Sequence, residues 1–139
     1  MTFLIIEDDE FHFQVVERAL KKNYPSAVIL RVATEKQFVQ RLIELIDLNL
    51  SLIIVDQMLP WTDDEDADPY TNAPSEGPLR AGNRCIERLR SLPGPRTIPV
   101  IFFTNLEQKT VPPKEAYVRK RADPKLTQLM GLVGQLLTR

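Results

Sequence analysis

Charged or hydroxyl side chains stand at or just beyond the ends of four short apolar runs in this sequence. They are Glu7, Asp8 and Asp9 after the first run, Asp56 after the third, Thr104 after the fourth and Lys120 after the fifth. Ligands of open parallel sheets bind beyond the carboxyl ends of the strands, so these side chains are expected to converge. Carboxylates that converge with a hydroxyl and an ammonium suit a hard divalent cation and a phosphoryl group, because Mg²⁺ takes oxygen ligands and keeps positions open for phosphate oxygens.

The elements that must position these side chains alternate between strands and helices. Five short apolar runs, four of them unalternating and rich in β-branched residues, are typical of strands covered on both faces. They lie at residues 3–6, 27–30, 52–55, 100–103 and 116–118. Helix-period stretches separate them, and the stretch at 126–137 has the clearest apolar stripe. This order predicts an α/β fold, a doubly wound five-stranded parallel sheet with helices on both faces.

Local signals set the expected helix ends. Asp9 is expected to be the N-cap of the first helix, and the third helix is expected at about residues 80–92. The fourth helix should be short or irregular, with at most two turns, because few residues separate the last two strands and two of them are prolines. Asp123 followed by Pro124 predicts the start of the last helix, with an N-cap and then proline in the first turn.

Composition bounds the function classes. The chain has 139 residues, 18 Lys and Arg against 19 Asp and Glu, and a net charge of −1. This predicts one domain over residues 1–139 and argues against a basic nucleic-acid binder. The single cysteine and an N-terminus without a signal-peptide pattern predict the cytoplasm, and apolar runs of four residues predict no membrane insertion. An acidic, proline-containing loop insertion is expected at about 61–79.

Taken in order, the motifs resemble those of the receiver domain of two-component response regulators. The matching segments are Ile5-Ile6-Glu7-Asp8-Asp9, Ile54-Val55-Asp56-Gln57-Met58-Leu59-Pro60, Gly82, Pro99-Val100-Ile101-Phe102-Phe103-Thr104 and Ala116-Tyr117-Val118-Arg119-Lys120. The resemblance spans nearly the whole chain. It implies a flavodoxin-like sheet of strand order 2-1-3-4-5. It also implies a stand-alone receiver that signals by contact with an unknown downstream protein.

The resemblance implies a phosphoacceptor role for Asp56. The donor would be a phosphohistidine of a histidine kinase or phosphotransfer protein, and the cofactor would be Mg²⁺ (or Mn²⁺). The implied metal ligands are Asp8, Asp56, the main-chain carbonyl of Met58, and Glu7 through a bound water. The cation would offset the charge that accumulates when a carboxylate attacks an anionic phosphoryl group.

The resemblance also implies roles for three residues on the last two strands. Lys120 would contact one phosphoryl oxygen, and Thr104 would donate a hydrogen bond to another. Thr104 and Tyr117 would form the switch, because Tyr117 can fill the space that Thr104 vacates. Such a protein is not an enzyme beyond its own phosphorylation and slow dephosphorylation. His12 lies in the first turn of a helix rather than at a strand end, so no catalytic role is expected of it.

The sequence departs from the family pattern at positions that support a second interpretation. Asn105 stands where the residue after the threonine is usually small. Arg121 stands where the lysine is usually followed by a cis-proline, so this turn is expected to be trans. The short fourth helix and the long acidic loop are further departures. The alternative function is a degenerate receiver that acts as a phosphorylation-independent protein-binding module.

Overall fold

The computed structural model describes residues 1–62, 77–93 and 97–138. Five strands form one parallel sheet in the order 2-1-3-4-5. They are β1 (Thr2–Ile6), β2 (Val28–Val32), β3 (Leu52–Val55), β4 (Val100–Thr104) and β5 (Ala116–Arg119). Four α-helices connect or follow them, α1 (Glu10–Asn23), α2 (Glu35–Asp47), α3 (Ala81–Arg90) and α4 (Thr127–Leu137). The predicted α/β fold and its strand order are therefore confirmed.

Two apolar cores cover the two faces of the sheet, as the unalternating strands predict. On one face, Phe38 of α2 and Ile86 of α3 pack with the buried side chains of Leu4 and Phe102. The other core includes Leu20 of α1 and Leu129 of α4, together with strand residues from the opposite face. Because both faces are buried, the polar residues beyond the strands collect at the carboxyl edge of the sheet.

The described residues include three short 3₁₀ turns, and one of them takes the place of the doubtful fourth helix. The connection from β4 to β5 contains only the turn Gln108–Thr110, so the predicted short or irregular fourth helix is confirmed. Two more such turns, Pro78–Arg80 and Lys120–Ala122, precede α3 and follow β5. The core of the acidic insertion predicted at 61–79, residues 63–76, lies outside the described residues.

The predicted start of the last helix is wrong. α4 begins at Thr127 rather than at Pro124, and Leu126 before it has a left-handed backbone with φ 58°. Asp123 still caps the helix from a distance, because its carboxylate accepts hydrogen bonds from the backbone N–H groups of Gln128 and Leu129 at 2.9 and 2.8 Å. A turn with proline therefore lies between the capping side chain and the helix it stabilises. Among the described helices, none is long and apolar enough to cross a bilayer.

Candidate phosphoryl and metal site

Three carboxylates meet where β1 and β3 end side by side. The backbone N–H of Asp56 donates to the carbonyl of Ile6 at 2.9 Å, which continues the parallel ladder past both strands. Glu7 is buried, Asp8 is exposed and Asp56 is half-buried. One oxygen from each of these three carboxylates lies within 4.8 Å of the others, close enough to share one cation. The cluster predicted from strand-end positions is thus assembled by the register of two neighbouring strands.

Lys120 completes the cluster from the end of the edge strand β5, two strands away from β3. It follows β5 directly, and its ammonium donates to Oδ2 of Asp56 at 2.8 Å and to Oε1 of Glu7. Its side chain is only 9% exposed, so both ion pairs are largely shielded from solvent. In this arrangement the ammonium is the counter-ion of the two innermost carboxylates.

The electrostatic balance of the cluster is visible in two pKa shifts. Burial, and then the charge of Asp56, raise the pKa of Glu7 to about 8, against the opposing effect of Lys120. For Lys120, burial acts to lower the pKa, but the charges of Asp56 and Glu7 outweigh it and the pKa is raised. Burial and the charge of Asp56 thus disfavour the ionised form of Glu7, and a bound cation would stabilise that form.

The donor set fits a hard divalent cation. All three side chains offer carboxylate oxygens, which are the ligands that Mg²⁺ and Mn²⁺ take in proteins. A cavity of about 230 Å³ opens beside them, and it is also lined by Met58, Thr104 and Lys120. The backbone N–H of Met58 donates to Oδ1 of Asp56 at 3.3 Å, and the side chain of Met58 is exposed. The ligand role of the Met58 carbonyl stays a prediction.

The side chains of Thr104 and Tyr117 both form hydrogen bonds with the backbone of Leu106. The hydroxyl of Thr104 is buried at the end of β4 and accepts a hydrogen bond from the N–H of Leu106 at 3.3 Å. The hydroxyl of Tyr117 donates to the carbonyl of Leu106 at 2.8 Å. Both side chains are thereby bonded to the same residue. Movement of this segment would affect the two together, and their switch role stays a prediction.

The turn after β5 depends on a residue that the sequence marked only as a departure. The side-chain carbonyl of Asn105 accepts a hydrogen bond from the backbone N–H of Arg121 at 2.9 Å. As expected, the Lys120–Arg121 peptide is trans. A proline at 121 would have no N–H to donate, so Asn105 and Arg121 form a matched pair. This pair joins the segments that carry Thr104 and Lys120.

Sequence reasoning gave His12 no place at the site, but the structure brings it to the cavity. Its backbone N–H donates to the N-cap carboxylate of Asp9 at 2.9 Å, which confirms that cap. Its Nδ1 lies 3.5 Å from the ammonium of Lys120 and 3.8 Å from Oε1 of Glu7. Its position in the sequence could have indicated this, because His12 follows Asp8 by four residues, about one helical turn, and lies in the first turn of α1.

A buried polar network lies behind the cavity. Gln57 is fully buried, and its side chain donates to Oδ1 of Asn83 at 2.8 Å and to the carbonyl of Thr110 at 2.9 Å. The backbone N–H of Asn83 donates back to Oε1 of Gln57 at 2.7 Å, and its side chain also donates to Thr110. The residue after Asp56 is therefore bonded to α3 and to the 3₁₀ turn between β4 and β5. Sequence reasoning did not assign this network.

Comparison with solved structures places this arrangement among known folds. A response regulator receiver domain (CheY-like) from Methylobacillus flagellatus matches with a TM-score of 0.61 and 14% identity, over 96% of this chain and 98% of the other. The N-terminal domain of a response regulator/sensory box/GGDEF 3-domain protein from Carboxydothermus hydrogenoformans gives 0.61 and 21%, over 99% and 94%. The chain has the receiver-domain fold.

A third receiver structure gives the same result. A mutant receiver domain of the histidine kinase CKI1 from Arabidopsis thaliana matches with a TM-score of 0.59 and 14% identity, over 99% of this chain and 90% of the other. No protein-family model and no curated protein matches the sequence. The receiver fold is therefore preserved here at low sequence identity, and the site must be argued from its own residues.

Proposed function

We propose that this chain is a response-regulator receiver domain that accepts a phosphoryl group on Asp56 in a phosphorelay. The donor is a phosphohistidine on a histidine kinase or phosphotransfer protein, and the signal passes to a downstream protein by contact in the cytoplasm. The observation that supports this most is the convergence of three carboxylates, a buried lysine and a buried threonine around one cavity of a receiver fold. The protein is a phosphoacceptor rather than an enzyme that acts on a separate substrate.

The transfer uses the side chains of the cavity in distinct roles. An oxygen of Asp56 attacks the phosphorus, the P–N bond of the phosphohistidine breaks, and its electron pair returns to the imidazole, which takes a proton from solvent. Glu7, Asp8 and Asp56 would hold Mg²⁺, and its charge would then neutralise the phosphoryl oxygens. Lys120, already 2.8 Å from Asp56, is placed to bind a second oxygen, and Thr104 a third.

The output follows from the bonds around Leu106. If the Thr104 hydroxyl turns to the phosphoryl group, it releases the N–H of Leu106, whose carbonyl is held by Tyr117. The local bond to phosphate then alters the surface around the β4–β5 connection. That connection contains the 3₁₀ turn Gln108–Thr110, which would form part of the surface offered to the downstream protein.

The only tryptophan provides a direct test, because Trp61 lies five residues after Asp56. Trp61 is fixed to α2, since the N–H of Lys36 donates to its carbonyl at 2.9 Å. Mg²⁺ and then beryllofluoride or acetyl phosphate are titrated while Trp61 emission is followed, with Asp56→Asn as the matched control. An emission change and a mass increase of one phosphoryl group, both dependent on Asp56, are expected.

The same experiment separates the proposal from its alternative. A degenerate receiver used only for protein binding has no reason to respond at Asp56. No response to beryllofluoride and no phosphorylated mass species, in a protein that remains folded, would favour that module. The paired Asn105 and Arg121 remove one argument for degeneracy, because the turn that presents Lys120 is hydrogen-bonded without the family proline.

A further inference from the structure

Arg31 of the edge strand β2 reaches across to the loop that carries two of the candidate metal ligands. Its Nε donates to the carbonyl of Glu7 at 3.2 Å, and its Nη2 donates to the carbonyl of Asp8 at 3.1 Å. Its Nη1 pairs with the carboxylate of Glu10, and its guanidinium lies over the ring of Phe13, 5.0 Å from the centroid. One side chain thus contacts two residues of the β1–α1 connection and two residues of α1.

These contacts bear on the site because the main-chain carbonyls of Glu7 and Asp8 lie beyond the end of β1. The N–H of Glu7 bonds to the carbonyl of Val32, which continues the β-ladder by one residue. β1 ends at Ile6 and α1 begins at Glu10, so Glu7 and Asp8 lie between the strand and the helix. Its carboxylates, together with Asp56, repel one another when no cation is present. A fixed backbone at Glu7 and Asp8 keeps their oxygens within reach of a shared cation.

The charge of Arg31 does not by itself oppose cation binding. Its guanidinium is paired with Glu10, so the pair as a whole is close to neutral toward the site. The contribution of Arg31 is therefore geometric. A planar fork with five N–H donors can bind two carbonyls and a carboxylate together, whereas the three donors of a lysine diverge from one point.

We propose that Arg31 is a positioning residue of the divalent-cation site, which holds the backbone of Glu7 and Asp8 in the binding geometry. The inference rests on the metal-binding half of the proposed function and not on phosphoryl transfer. By this proposal, a residue of the edge strand β2 affects cation affinity at the ends of β1 and β3.

The test compares three variants of the full chain, Arg31→Met, Arg31→Lys and Arg90→Met. Arg90 is the matched control, because it is also a partly exposed arginine whose guanidinium forms two hydrogen bonds, here to the carboxylate of Glu115, away from the acid cluster. Calorimetric Mg²⁺ titration measures affinity, and urea unfolding in EDTA measures stability separately. Residues that orient metal ligands typically change metal affinity about 10–100-fold when replaced.

We expect Arg31→Met to weaken Mg²⁺ binding at least tenfold, Arg31→Lys to restore little of it, and Arg90→Met to leave it unchanged. Arg31→Met with reduced stability but wild-type Mg²⁺ affinity would overturn the inference, because a purely structural role gives that result. Equal weakening in the Arg90 control would also overturn it. Mg²⁺ binding by the wild type without reaction with acetyl phosphate would defeat only the proposed phosphoryl transfer, whereas no Mg²⁺ binding would defeat both.

Discussion

Gly82→Ala should destabilise the protein because α3 approaches the backbone of Asp56 and Gln57 closely at this residue. A Cβ at Gly82 would lie 2.5 Å from the carbonyl oxygen of Asp56 and 2.8 Å from the Cα of Gln57. Both obstacles are backbone atoms, so α3 must move and stretch the hydrogen bond from Gly82 N–H to the Gln57 carbonyl, now 2.9 Å. Overpacking costs about 1–3 kcal/mol, and alanine recovers about 1 kcal/mol of helix propensity.

With the obstacle at the upper end of that range, the net loss should be about 2 kcal/mol, measured by urea unfolding. Gly131→Ala is the matched control, because Gly131 also lies within a helix and has open space around its added Cβ. That variant should gain up to about 1 kcal/mol. If Gly82→Ala is as stable as wild type, or if both variants shift in the same direction, the close approach of α3 to Asp56 is not the constraint described.

Three further changes test the charge balance and the contacts around the site. In EDTA, the free energy of unfolding should fall as the pH rises from about 5 to about 8. The pKa of Glu7 is ordinarily 4.5 and is raised to about 8 in the folded state, so folding favours the protonated carboxyl group. Glu7→Gln should make this pH dependence weaker. Arg84→Met should cost about 3–5 kcal/mol of unfolding free energy, because it leaves the buried carboxylate of Glu35 without its bidentate partner. Lys109→Met, at an exposed ion pair, should change it by less than about 0.5 kcal/mol. Asn105→Ala removes a hydrogen bond worth about 1 kcal/mol, so phosphorylation by acetyl phosphate should slow about fivefold.

Each of these expectations has a contrary result. A stability profile in EDTA that is flat or rises over this pH range would contradict the assigned shift of Glu7. Equal losses for Arg84→Met and Lys109→Met would show that burial does not set the cost of breaking an ion pair here. An Asn105→Ala protein that is phosphorylated at the wild-type rate would show that the turn after β5 does not depend on this bond.

The elements and most of the site could be predicted because their signals are local. Unbroken apolar runs identify strands buried on both faces. The residue after each run lies at the carboxyl edge of the sheet, and this position does not depend on the length or conformation of the loops. Asp56 and Lys120 were placed on that argument and the family resemblance together, and the structure brings them to 2.8 Å.

What escaped prediction depends on distances between segments far apart in sequence. His12 reads locally as a helix residue, and its place beside Lys120 is set by how α1 docks on the sheet. The last helix was placed three residues too early, since Asp123 and Pro124 form a typical start but the chain makes a further turn before Thr127. Arg31 belongs to no motif, because its two partners in the β1–α1 connection are main-chain carbonyls, which any sequence would offer.

The bonds between Gln57 and α3 have a consequence for hydrogen exchange. The first N–H groups of a helix usually lack partners and exchange quickly with solvent. Here the N–H groups of Gly82 and Asn83 are held by the main-chain and side-chain oxygens of Gln57, so the start of α3 does not fray on its own. Exposing either amide requires the segment after β3 to open as well. The loop that follows Asp56 and the first turn of α3 therefore form one cooperative unit.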